Sequence, residues 1–348
     1  MPGTQPRDPR PKVLCAWRRW IILVDLIPMW IITGANGFIG SAVVADLNVR
    51  GLSDLIVVDT IPVGERPHLL SEKKYVQFLH TDQLMSFLRR KPRIHGVVHM
   101  GACSSTTETN VELLRQNNTE YTQRLYEYCR DAQLPFIYAS SGAVYGDGKK
   151  GFDDSMKSGS FAPLNPYGWS KLNFDVWAEK QTATPPRWYG LRFFNVFGPN
   201  EDHKGEMSSV VYKAFQQIQE SGKMRLFKSH RHEYKDGEQL RDFIYVKDIA
   251  DWVNFLIENK NVKSGIYNMG FGKARTWIDL ATSVFKEMNR DLQIEWIDVP
   301  SHIRDQYQYL TEARMEKWKA QDGPEPKWSL EAGIQDYVCN YLSKGMHL

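Results

Sequence analysis

The chain has 348 residues, 42% of them hydrophobic and 24% charged, which excludes a disordered or fibrous class and suffices for one large α/β domain or two closely associated ones. Its formal charge of +3 is carried wholly by residues 1–28, where Arg7, Arg10, Lys12, Arg18 and Arg19 stand against Asp8 and Asp25. The neutral remainder gives no support for a nucleic-acid surface, and the widely spaced Cys15, Cys103, Cys129 and Cys339 lack metal or redox spacing and fit a reducing cytoplasm.

Trp20–Pro28 is apolar and follows Arg18-Arg19, in the outline of a signal peptide. Asp25 and Pro28 interrupt that outline, and cleavage after a small residue such as Ala35 would delete the strand that follows. The run is also too short to span a bilayer unless it absorbs that strand. Pro2, Pro6, Pro9 and Pro11 make the first dozen residues poor core material. The fold is expected to begin at Met29, with 1–28 an extension outside it and no membrane anchor.

Met29–Thr33 is an apolar run ending at Gly34, and FIGSAVVADLNVR from Phe38 has a helical apolar period. Strand, glycine turn and helix make the first half of a βαβ unit. Gly34 allows the turn, Gly37 lets backbone approach a pyrophosphate, and Gly40 lets helix and strand pack closely. The phosphates would lie on the free N–H groups of the helix N-terminus. The next run, LIVVD (Leu55–Asp59), ends in a carboxylate placed for a ribose hydroxyl. A glycine triplet alone is weak evidence, but with strand, helix and terminal acid it reads as dinucleotide binding.

A turn-rich loop with Arg66 and Pro67 follows (Thr60–Lys74), then a helix over His80–Arg90 and a buried strand, Ile94–Met100. Small residues, Gly101–Thr107, close that strand and let a ligand lie over its C-terminal edge. Thr107–Asp131 reads as a helix, Pro135–Ser141 as a strand, Asn165–Lys180 as a turn and helix, and Trp188–Val196 as a strand. This alternation predicts an α/β fold with a doubly wound parallel sheet. Beyond Pro199 the pattern loosens into a helix over Met207–Ser221, a short LF strand and a polar loop, Lys228–Gln239. Asp242–Val246 and the helix Lys247–Asn259 read as a return to the sheet. Residues 29–198 plus 241–262 are thus expected to form the dinucleotide domain, and 199–240 plus 263–348 a smaller C-terminal α/β substrate lobe.

Tyr167 and Lys171 stand one helical turn apart. A phenol with its ordinary pKa near ten is a poor base at neutral pH, but a neighbouring ammonium and a positive cofactor ring would stabilise the phenolate for acid–base work. Ser141, at a strand end, would hold the substrate oxygen beside it. Alone, this spacing equally describes a solvated helix pair; after the nucleotide fingerprint and the strand-end serine, the catalytic reading is favoured.

GANGFIG, Asp59, ASSGAVYG, NPYGWSK and LRFFNVFGP fall in the order they take in the extended short-chain dehydrogenase/reductase family, which the chain resembles from Met29 nearly to its end. GACSSTTE (Gly101–Glu108), EDHKGEMSSV (Glu201–Val210), LFKSH (Leu226–His230), KDGEQLRDFIYVKD (Lys235–Asp248) and QYQYLTEA (Gln306–Ala313) are most similar to its nucleotide-sugar epimerases that act at C6″ of ADP-glycero-manno-heptose. The resemblance implies a Rossmann domain holding NADP, a lobe binding the ADP-sugar, a homo-oligomeric (pentameric) ring and a place in lipopolysaccharide inner-core synthesis. It also implies that Lys204 is a second acid/base opposite Tyr167; the residues alone equally describe a solvated or phosphate-binding loop lysine.

By matched motif, the resemblance assigns cofactor contacts to Gly34, Gly37, Phe38, Ile39 and Gly40 in the turn, and to Asp59, Thr60 and Arg66 after the second strand. Met100, Gly101, Ala102, Cys103 and Ser104 follow the fourth strand, with Asn117, Lys171 and Val196 beyond. It assigns the substrate to Ser141, Asn195, Lys204, Glu206 and Lys213, to the segment Phe227, Lys228, Ser229 and His230, and to Arg241 and Tyr307. Arg241 suits a diphosphate because its guanidinium forks onto oxygens. Three positions depart from the family pattern: Met100 where an acid is common, Glu206 where serine is, and Lys213 where histidine is. Asp59 favours NAD, whereas Arg66 could pair a 2′-phosphate; NADP is the expectation and NAD the alternative. His230 and His232 alternate in a polar loop without completing a metal site. Two other readings stay open: a 4-epimerase or dehydratase of the same fold, and a non-catalytic NADP-binding sensor.

Overall fold

The computed structural model describes residues 29–304 and 307–348; the extension expected at 1–28, and Gln306, lie outside the described residues. Eleven strands concern the site. In chain order they are β1 (Met29–Thr33), β2 (Leu55–Asp59), β3 (Gln77–His80), β4 (Ile94–His99), β5 (Phe136–Ser141), β6 (Trp188–Phe193), β7 (Asn195–Phe197), β8 (Met224–Phe227), β9 (Leu240–Arg241), β10 (Phe243–Tyr245) and β11 (Gly265–Met269). Seven form a parallel sheet in the order β3-β2-β1-β4-β5-β6-β11. Helices cover both faces, so every residue of β1 and β2 is buried, as unbroken apolar runs require. Strand alternation sorts them: Trp30, Ile32 and Val57 face one core, Met29, Ile31 and Ile56 the other.

The helix Phe38–Val49 packs on the helix Val246–Glu258. The helix expected from Thr107 begins at Val111, where the Asn110 side chain accepts the Leu113 N–H at 3.0 Å. A π turn, Arg115–Glu120, interrupts it before Tyr121–Asp131.

The expected division of the chain needs two changes. Residues 265–269, assigned to the second lobe, are β11, the seventh strand of the main sheet. Asp242–Val246, expected to rejoin that sheet, instead supplies β10, which pairs with β7 in a separate two-stranded sheet. Strand periodicity explains the second: Ile244 enters the main core, while Phe243 and Tyr245 enter a second core with Phe215, Leu226, Trp277 and Tyr337. β10 is a shared wall between the two lobes.

A buried polar network ties the sheet to the helix Pro166–Glu179. Arg192 on β6 pairs with Asp175 on that helix at 3.1 Å, both 1% exposed or less. Asp175 also accepts the Tyr138 hydroxyl at 3.0 Å and the Ser140 hydroxyl at 2.9 Å, while Arg192 donates to Tyr145 at 3.1 Å and Ser158 at 2.7 Å. Both charges are therefore satisfied without water. Arg192→Leu would strand the Asp175 carboxylate in the core, and we expect a loss of about 3–5 kcal/mol of unfolding free energy, read from the urea midpoint at unchanged m-value.

Candidate active site

The glycine turn is built by backbone contact. Gly34 has φ +65°, and a Cβ there would lie 2.5 Å from the Gly101 nitrogen; one on Gly40 would lie 2.0 Å from the Gly34 carbonyl oxygen. Strand end, helix start and the loop after β4 thus meet at positions that only glycine fits. Phe38 is buried in the first turn, with Ile39 partly buried beside it.

Asp59 closes the turn from β2. Its carboxylate accepts the Asn36 N–H at 2.9 Å and the Ile61 N–H at 3.0 Å, so it shapes the loop. Thr60 beside it is exposed. Arg66 reaches back to donate to the Asn36 carbonyl at 3.2 Å, which puts its guanidinium at the turn.

A chain of side chains holds the loop after β4. The Thr33 hydroxyl lies 2.6 Å from His99 Nδ1 and accepts the Gly101 N–H at 3.3 Å, and His99 Nε2 lies 3.0 Å from the Thr122 hydroxyl. Burial, then the Lys171 charge, pushes the His99 imidazole down to about 3, so it is a neutral tether. Met100 packs on the main core, Ala102 and Cys103 are half-buried, and Ser104 is exposed. The asparagine that grips this loop is Asn118, 1% exposed, which exchanges hydrogen bonds with the Cys103 backbone at 2.8 and 2.9 Å and donates to Ser170 at 2.9 Å. Asn117, expected as a cofactor contact, is exposed beside it.

Ser141, Tyr167 and Lys171 come together at the C-terminal end of β5. Tyr167 is hydrogen-bonded to the Ser141 side chain, and Ser141 Oγ accepts the Ala143 N–H at 3.1 Å. Lys171 Nζ donates to the Ala139 carbonyl at 2.9 Å. Asn165 starts this helix by accepting the Gly168 N–H at 2.7 Å, with Pro166 in its first turn. Burial pushes the Tyr167 phenol up, opposed by the Ser141 bond. Burial likewise pushes Lys171 down to about 8 from 10.5, against the pull of Asp175 and Cys103.

Lys204 lies beside the helix that follows the glycine turn. Its ammonium sits 5.2 Å from the centre of the Phe38 ring, and among the described residues no hydrogen bond or ion pair joins it to Tyr167. Burial lowers its pKa while Glu201 raises it. Glu201 is fully buried and anchors this turn, accepting from the Gly198 N–H at 3.2 Å and from Ser209 N–H and Oγ at 2.5 and 2.7 Å. Val196 packs with Phe38 and Ile39.

The second lobe brings the remaining candidates together unevenly. Arg241 is 7% exposed and lies 5.2 and 5.4 Å from the ring centres of Tyr307 and Trp277, and its N–H groups go to the Leu240 and Gln308 carbonyls. Among the described residues it pairs with no carboxylate. Tyr307 accepts from Trp277 Nε1 at 3.2 Å and packs edge-on against Phe227 and His230. Ser229 and the His230 N–H share the Tyr309 hydroxyl at 3.3 and 2.8 Å, and Asn195 Oδ1 accepts from Thr311 at 3.4 Å. Glu206 and Lys213, two expected sugar contacts, pair with each other at 3.3 Å, with Glu206 fully exposed. Gly205, at φ +53°, kinks the turn between Lys204 and Glu206 and sends it outward. Lys228 faces solvent beside Asp298 at 3.5 Å.

The profile of the NAD dependent epimerase/dehydratase family matches residues 30–270. The chain belongs to that family. It is 45% identical over 324 residues to the ADP-L-glycero-D-manno-heptose-6-epimerase of Nitratidesulfovibrio vulgaris strain DP4, covering 90% of this chain and 98% of that one. The protein of the same name from Fusobacterium nucleatum subsp. nucleatum is 42% identical over 328 residues, with 91% and 98% covered. The crystal structure of the Helicobacter pylori ADP-L-glycero-D-manno-heptose-6-epimerase superposes with a TM-score of 0.75 at 27% identity, covering 90% of this chain and 96% of that one.

For an NAD dependent epimerase/dehydratase the residues fit a dinucleotide. The helix after the glycine turn has no side-chain cap and no acid in its first turn, leaving its N–H groups for an anion. Asn36 Oδ1 is buried there without a hydrogen-bond partner among the described residues. Asn118, His99, Trp277 and Glu201 were not singled out from sequence. Only the doubled Asn117-Asn118 gave a signal, and it did not say which residue turns inward.

Gly34→Ala should fold but drive its methyl into Gly101, so the purified variant should carry little or no nicotinamide, measured as dinucleotide released on acid denaturation. Lys171 makes a second prediction. Because its folded pKa lies near 8 and its unfolded pKa near 10.5, the unfolded chain holds the extra proton between those values, and this group's contribution to stability rises with pH across that window. Lys171→Met should remove that rise in urea titrations over the same range.

Proposed function

We propose that this epimerase inverts C6″ of ADP-glycero-manno-heptose in either direction, by oxidising the secondary alcohol to a 6″-ketone and reducing it on the opposite face, in the supply of the lipopolysaccharide inner core. The observation that carries the reading is the intact Ser141–Tyr167–Lys171 group beside a glycine turn, in a chain 45% identical to an ADP-L-glycero-D-manno-heptose-6-epimerase over nearly its full length.

C6″ is a carbinol carbon with no adjacent carbonyl, so removing a proton from it cannot invert it. A bound nicotinamide supplies the hydride acceptor and donor that the inversion requires. Tyr167 would take the 6″-hydroxyl proton of one epimer as hydride leaves, and would give it back only when that same epimer is re-formed in the reverse direction. Ser141 orients the same oxygen, and Lys171 holds a positive charge that opposes the burial penalty on the Tyr167 phenolate. When hydride returns to the other face, the oxygen is presented from the other flank, where Lys204 is the acid/base in this reading. Arg241 takes the diphosphate: a buried guanidinium between two aromatic rings, without a carboxylate among the described residues, favours an anionic ligand.

NADP is the preferred coenzyme in this reading, with NAD the alternative. Both Asp59 oxygens accept backbone N–H groups, which blunts their repulsion of a 2′-phosphate, and Arg66 stands at the same turn to pair with it. The homo-oligomer expected from sequence remains part of the proposal.

The test is incubation with ADP-D-glycero-D-manno-heptose in D2O, followed by NMR at C6″. Inversion without solvent deuterium at C6″ is expected, slowed about 10²–10⁴-fold in Tyr167→Phe. Absence of inversion, with turnover of UDP-galactose instead, would replace this reading by a 4-epimerase.

A further inference from the structure

His68, Asp202 and His347 are remote in sequence and meet beside the glycine turn. His68 lies on the short helix Pro67–Leu70 after Arg66, and Asp202 opens the turn Asp202–Met207 that carries Lys204. His68 Nε2 is 3.2 Å from Asp202 Oδ2, and His347 Nε2 is 3.3 Å from Asp202 Oδ1. The two imidazole rings are 4.3 Å apart, and one donor atom from each of the three residues lies within 4.8 Å of the others.

We propose that these three side chains form a zinc site, with His68 Nε2, His347 Nε2 and the Asp202 carboxylate as ligands and water in the fourth position. Zinc bonds of about 2.1 Å at tetrahedral angles separate neighbouring ligand atoms by about 3.4 Å, and each histidine nitrogen stands near that distance from one oxygen of the Asp202 carboxylate. Among the described residues, His68 Nε2 and Asp202 Oδ1 are buried without a well-directed hydrogen-bond partner. Two imidazoles with one carboxylate suit a borderline ion such as Zn²⁺, whereas Mg²⁺ and Ca²⁺ take oxygen ligands. The side chains are roughly one-third exposed, at 31%, 32% and 27%, which leaves the ion a way in. Lys73 adds positive charge near His347, and Arg66 and Lys204 add it near His203; these cations set the affinity below that of an all-protein Cys₄ site.

An ion here would join three segments: the loop bearing Arg66, the turn bearing Lys204, and residues 347–348. Those last residues already lean on the cofactor end of the fold. Leu348 packs with Phe38 and Ile39, its N–H goes to Asn200 Oδ1 at 2.9 Å, and Asn200 Nδ2 donates to Ser41 at 2.9 Å. The zinc would act as a staple across the phosphate end of the nucleotide site, whichever sugar is turned over.

The test is metal content by elemental analysis of cofactor-loaded full-length protein, stripped with chelator, given equimolar Zn²⁺ and dialysed. About one zinc per chain is expected for the wild type and for His95→Ala, an exposed histidine on β4, against under about a tenth for His68→Ala and His347→Ala. Co²⁺ substitution should give tetrahedral d–d absorption in the wild type and His95→Ala but not in His68→Ala or His347→Ala, and Zn²⁺ should raise Tm in the first two and not in the last two. Thermal unfolding of the metal-free variants checks that they fold. Wild-type protein that retains no zinc, or histidine variants that retain as much as it does, would overturn the proposal.

Discussion

Everything at the nucleotide end depends on how closely three backbones approach. With a Cβ at Gly34 the turn would collide with Gly101 at 2.5 Å, and with one at Gly40 the helix could not reach the Gly34 carbonyl. That approach puts an uncapped helix N-terminus, the β2 carboxylate and the loop after β4 around one small volume, where a pyrophosphate can meet N–H groups without intervening side chains. The surrounding side chains keep these backbones in place. Asp59 pulls Asn36 and Ile61 together, and the Thr33–His99–Thr122 chain fixes the loop on which Gly101 sits.

The acid–base group depends on a different constraint. Tyr167, Lys171 and Asp175 recur every four residues on one helix, so they line the same side of it. Asp175 is locked to β6 through Arg192 and to β5 through Tyr138 and Ser140. The buried pair therefore sets the height and rotation of the helix that presents Tyr167 to Ser141. A pair of this kind adds little net stability when compared with apolar packing, and its role here is positional. The same burial that shields the site raises the phenol and lowers the ammonium. Lys171 is thus closer to losing its proton than a surface lysine, and Tyr167 relies on nearby positive charge to gain its anionic form.

The second lobe meets the first through β10, whose alternating side chains serve two cores at once. Asp242, between the β9 arginine and β10, accepts the N–H groups of Phe271, Gly272 and Ala313 at 2.6, 2.9 and 2.9 Å. Arg241, adjacent in sequence, is thereby held rigidly at the lobe boundary. Lys204 sits on a turn anchored by Glu201, with its ammonium over the Phe38 ring.

By itself the sequence determined the parallel α/β architecture, the glycine turn with its closing acid, the Ser141–Tyr167–Lys171 group and the family, because each rests on local period or short spacing along one strand or helix. It did not determine that 265–269 completes the main sheet or that Phe243–Tyr245 leaves it, since short apolar runs look alike until their partners are known. It could not choose Asn118 over Asn117, turn Glu206 away to Lys213, or bring His68, Asp202 and His347 together. Those outcomes depend on helix phase, on one positive-φ glycine and on contacts between segments more than a hundred residues apart, and only the packed chain decides them.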